Sequence, residues 1–121
     1  MRAILAFHEA FAWIAIGANA LAGVVALVAW RRPRRRGAWV WWMTGIAEVM
    51  LLVQVLTGVA LTSGGRYQAP RFHMFYGFVA FITVGLAYGY RASMRGRLEM
   101  LYGLIGLFLM GVGIRAVLQV Q

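Results

Sequence analysis

Four apolar stretches, Ile4 to Trp30, Trp39 to Leu61, Phe72 to Tyr90 and Leu98 to Leu118, take up nearly all of this 121-residue chain. Each approaches or exceeds the roughly 20 residues that a helix needs to cross the hydrocarbon core of a bilayer. Lipid offers no hydrogen bonds, so every backbone N–H and C=O in such a stretch must be satisfied by the chain itself. With connections this short, the expected fold is all-α: a single domain over residues 1–121, an integral membrane four-helix bundle. Composition points the same way, with 63% apolar and 12% charged residues, against about a quarter charged in soluble domains. No soluble enzyme domain is expected within these residues.

Charge then sets the expected orientation. The first connection carries Arg31, Arg32, Arg34, Arg35 and Arg36, the third carries Arg91, Arg95 and Arg97, and the middle one only Arg66 and Arg71. By the positive-inside rule both termini lie outside. The net charge of +9 reads as this topological signal together with contact to anionic lipid head groups. Nucleic acid is not an expected partner, because no basic domain projects from the membrane. Arginine supplies all twelve basic residues, with no lysine, a bias that points to a GC-rich bacterial genome and so to a multi-pass protein of the bacterial inner membrane. Met1-Arg2 and Ala18-Asn19-Ala20 imitate a signal peptide and its cleavage site. A retained helix is expected instead, since the apolar run continues to Trp30 and His8-Glu9 interrupts its early part.

The two histidines occupy matching places. His8 lies near the outer start of the first stretch and His73 near that of the third, and these two helices run in the same direction. Offsets of 4, 7, 11 and 14 give Ala12, Ala15, Asn19 and Ala22 from His8, and Gly77, Ala80, Val84 and Ala87 from His73. Each stripe shares a helix face with its histidine. Small side chains leave space for a flat macrocycle, and neutral imidazoles are axial ligands of haem iron. Small residues also line ordinary helix contacts in membranes, which is the structural alternative. There is no cysteine, so any haem b is held noncovalently.

Arg66, Arg71 and Arg115 lie at about the level of the histidines, where guanidinium groups could pair with haem propionates. For Arg115, snorkelling to the head groups or pairing with Glu9 is the competing reading. Glu48 falls mid-membrane, where a carboxylate is protonated, paired or wet, and Thr44 one turn earlier is its expected hydrogen-bond partner. A neutral packing role for Glu48 is preferred to proton carriage. Glu99 suits a helix N-terminus. Gln54 and Thr57 share a face of the second helix and either line a pocket or bridge helices. Trp30, Trp39, Trp41 and Trp42 form an expected interfacial anchor. Gly85, Gly89, Gly103, Gly106 and Gly113 are expected at close helix contacts.

The order of features, from His8 through Arg31 to Arg36, Val53-Gln-Val-Leu-Thr-Gly-Val-Ala-Leu-Thr62 and Phe72-His-Met-Phe-Tyr-Gly77, resembles one four-helix half of the haem A synthase family. It is similar, more broadly, to cytochrome b561-type bundles. The resemblance implies His8 and His73 as axial ligands, with Gln54 and Gly58 on the helix between them. In the synthase's catalytic half a glutamate precedes the first histidine, whereas here Glu9 follows it, and only one half is present. The expectation is therefore an electron-transfer component rather than an independent catalyst, working within a respiratory-type membrane complex or as a homo-oligomer. Quinone is a further candidate ligand. A haem-free accessory subunit of a respiratory or photosynthetic membrane complex and a small transporter are the alternatives, and the arginine bias argues against a dual-topology transporter.

Overall fold

The computed structural model describes residues 2–120. Its helices are α1 (Arg2–Arg31), α2 (Ala38–Ser63), α3 (Arg71–Tyr90) and α4 (Leu98–Leu118). All four are long and apolar enough to cross a membrane, and each boundary lies within two residues of the one expected. The starts of α1 and α3 share one end of the bundle with the ends of α2 and α4. This histidine end opposes an arginine end that carries the other two connections.

Local chemistry sets the boundaries. Pro33 opens a short 3-10 turn, Pro33–Arg35, and Arg36 folds back so that its guanidinium donates to Ala29 O at 2.9 Å and Trp30 O at 2.8 Å. Those carbonyls belong to the last turn of α1, where intrahelical donors run out. Pro70 precedes α3, and its carbonyl accepts the Met74 N–H at 3.2 Å. Gly65 (φ +74°) and Gly96 (φ +85°) supply the left-handed backbone that reverses the chain before α3 and α4.

The helices do not pack equally. α1 lies against α4 and α2, α3 lies against α4, and the α2–α3 seam is the loosest, leaving α1 and α3 diagonal to each other. The tightest contact is the α1–α4 crossing. A Cβ on Gly106 would stand 2.8 Å from Asn19 O and from the Gly23 Cα, and one on Gly23 would stand 2.9 Å from Gly103 O. The backbones touch, as they do where small residues let membrane helices approach. Asn19, 2% exposed, then ties α1 to α2. Its Nδ2 donates to Ala15 O at 2.9 Å in its own helix and to Ala47 O at 3.1 Å across the interface.

Much of the core is alanine and glycine, with Leu109 and Val40 the largest fully buried apolar side chains. The bulky residues face outward, Trp42, Phe78 and Leu56 among them. That distribution suits a solvent as apolar as the core. Gly103, Gly106 and Gly113 do sit at close contacts, but Gly85 and Gly89 meet nothing within 4 Å. Both are exposed on α3, the span with the smallest share of its residues buried. Spacing alone could not tell which glycines face a neighbour.

Gly106→Ala is expected to lower stability by about 1–3 kcal/mol, because the added methyl meets backbone that cannot yield. Gly45→Ala, which adds its methyl to open space, should be neutral or slightly stabilising. Unfolding midpoints in mixed detergent micelles compare the two directly.

Candidate histidine site

His8 lies in the second turn of α1 and His73 is the third residue of α3. The parallel diagonal placement of these helices brings the two rings together at the histidine end. Their centroids are 6.1 Å apart and their planes cross at 76°. Both side chains are half-buried. The stripes below them face inward as their spacing implies: Ala15, Asn19 and Ala22 are buried on α1, Ala80 and Ala87 on α3, with Ala12, Gly77 and Val84 half-buried.

Each imidazole is held through Nδ1. His8 Nδ1 lies 2.9 Å from Thr57 Oγ1, and that hydroxyl donates its single proton to Gln54 O at 2.8 Å. Thr57 must then accept from His8, so the network assigns the proton to His8 Nδ1. His73 Nδ1 lies 2.7 Å from Ala116 O, and a carbonyl only accepts. Each ring therefore carries a proton on Nδ1, and neither Nε2 has a hydrogen-bond partner among the described residues. A metal-binding histidine shows the same division of labour, one nitrogen fixed by an acceptor and the other left with its lone pair.

α2 supports His8 at two further points. Gln54 Nε2 donates to His8 O at 2.6 Å, which fixes the backbone beneath the ring. A Cβ on Gly58 would stand 3.1 Å from His8 Cε1, so glycine there lets the imidazole lie against the helix. Gln54 Oε1 is buried and has no hydrogen-bond partner among the described residues. One turn past His73, the position a Cβ would take on Gly77 has nothing within 4 Å.

The arginines divide. Arg115, next in sequence to the carbonyl that holds His73, donates from Nη2 to the Tyr76 hydroxyl at 3.2 Å, with its guanidinium carbon 5.7 Å from that ring's centroid. Its partner is thus Tyr76 rather than Glu9. Arg66 stacks over Tyr67 at 5.8 Å, and Arg71 is exposed at the first residue of α3. These two share the histidine end without reaching the rings. Glu48 is half-buried near the middle of α2, and the expected hydrogen bond from Thr44 is not made, since the buried Thr44 Oγ1 has no partner. No hydrogen bond joins Glu48 to the histidine cluster.

Comparison with family models, curated proteins and solved structures finds no match to this chain. The case for function therefore rests on the residues themselves. Two members of the cluster were not anticipated as imidazole partners. Thr57 was legible as a neighbour of Gln54, but its role depends on the packing of α1 on α2. The Ala116 carbonyl is a backbone group with no sequence signature.

Nitrogen-15 NMR of the histidine side chains in the cofactor-free protein should show both rings as Nδ1–H tautomers. Thr57→Val should shift the His8 ratio towards the other tautomer and leave His73 unchanged. Equal populations of both tautomers at both rings in the unsubstituted protein would contradict the assigned network.

Proposed function

We propose that the chain is a small membrane b-type cytochrome that holds one haem b between His8 and His73 and passes electrons within a larger membrane assembly. The observation that carries this reading is the pair of neighbouring imidazoles, each fixed through Nδ1 with no partner at Nε2 among the described residues. The 6.1 Å separation of the two rings would allow both imidazoles to hold a single metal centre.

The donor set also discriminates between kinds of metal site. Among the described residues no group of three or more His, Cys, Asp or Glu comes together. A bare ion such as zinc takes three or four protein ligands. Two imidazoles suffice where a macrocycle supplies the equatorial ligands. Haem, if held by His8 and His73, would supply a one-electron couple suited to electron transfer.

The protein's part is to bind and orient. Thr57 and the Ala116 carbonyl set the two ring planes and raise the basicity of each Nε2. A Cβ on Gly77, one turn past His73, would meet nothing within 4 Å, and the α2–α3 seam is the loosest in the bundle. Arg115, with Arg66 and Arg71 above it, offers guanidinium groups at the histidine end for propionates. By the positive-inside rule this end faces outside and the arginine end faces the cytoplasm, in a bacterial inner membrane.

His8→Ala and His73→Ala should each abolish haem retention through purification in mild detergent, measured by pyridine haemochrome against protein concentration. Glu48→Gln should keep the unsubstituted stoichiometry of about one haem per chain. Full occupancy in both histidine variants would remove the reading and leave the accessory-subunit alternative, in which His8 and His73 are replaceable interface residues.

A further inference from the structure

At the arginine end, the outer face of α1 carries a shallow, open groove of about 280 Å³ lined by Val24, Leu27, Val28, Arg31 and Arg32, all from this one helix and the residue that follows it. The lining is apolar for its first turns and becomes cationic where the helix leaves the membrane. This order follows from helical spacing, since residues 24, 27, 28, 31 and 32 fall on one face over just over two turns. Val24 and Val28 are 49% and 46% exposed, so the groove opens to the lipid. Leu27 closes its floor by leaning over Gly103 of α4.

The five arginines of the connection are not equivalent. Arg36 is engaged in capping the α1 carbonyls. Arg34 and Arg35 lie in the 3-10 turn beyond the helix. Arg31 and Arg32 alone line the groove, with the Arg31 guanidinium carbon 5.8 Å from the Trp30 ring centroid. Two guanidinium groups above a strip of valine and leucine favour a lipid whose phosphate keeps its net negative charge, whereas in a zwitterionic lipid the head group's own ammonium offsets that charge.

We propose that this groove is a binding site for one anionic phospholipid of the cytoplasmic leaflet, with an acyl chain along Val24, Leu27 and Val28 and its phosphate between Arg31 and Arg32. The site is independent of the histidines. It differs from the general attraction of a basic loop for acidic membrane in requiring particular arginines and the apolar strip below them.

The test is native mass spectrometry of the full chain released from nanodiscs of equal phosphatidylglycerol and phosphatidylcholine, counting retained lipids. The unsubstituted protein should keep one phosphatidylglycerol in preference to phosphatidylcholine. Arg31→Gln with Arg32→Gln should weaken that preference roughly tenfold. Arg34→Gln with Arg35→Gln removes the same charge and should leave it nearly unchanged. Val28→Trp, which fills the groove while keeping every arginine, should also lose the bound lipid. Equal losses from the two arginine pairs, retention in Val28→Trp, or no head-group preference in the unsubstituted protein would each overturn the site. The substituted residues are exposed or half-buried, and circular dichroism of each variant checks that its helices remain intact.

Discussion

The close crossing of α1 over α4 is the contact on which the rest of the bundle depends. Gly23, Gly103 and Gly106 let the two backbones touch, and no other helix pair is as extensively joined. With α1 seated on α4 and α3 packed on the far flank of α4, α1 and α3 must stand diagonally. That arrangement sets the separation of His8 and His73, although neither residue takes part in the crossing. Lipid supplies no hydrophobic drive for helices to associate, so close van der Waals contact and a few interhelical hydrogen bonds carry the assembly. Asn19 contributes one of these at the same level, joining α2 to the crossing through Ala47 O.

The histidine end shows how polar groups are managed in such a solvent. Each ring nitrogen at Nδ1 is matched to an acceptor from a neighbouring helix, Thr57 on α2 and Ala116 on α4. Gln54 braces the backbone of His8 from the same side as Thr57. Four helices therefore contribute to one small cluster, and the groups left over are all acceptors or lone pairs: two Nε2 atoms and Gln54 Oε1.

Much of this was legible in the chain. Apolar length gave the four helices to within two residues, because a membrane span admits only continuous helix. The placing of His8 and His73 on parallel helices gave their meeting, and the stripes of small residues beneath them gave the inward faces. Other features escaped because they depend on rotation about the helix axis, which apolar periodicity cannot report when both lipid and core are apolar. Gly85 and Gly89 face outward while Gly23, not singled out, lies at the tightest contact. Thr44 was expected to serve Glu48 and instead has no partner. Arg115 found Tyr76, a neighbour visible only after α3 and α4 are packed together.

The central claim is that both imidazoles bind one iron, and electron paramagnetic resonance of the air-oxidised protein, purified from cells supplied with haem, tests it most directly. Two imidazole ligands give ferric haem a strong axial field. The account predicts a low-spin ferric signal that accounts for all the bound haem. A high-spin signal from folded protein, indicating a vacant axial position, or folded protein that carries no haem iron, would contradict it.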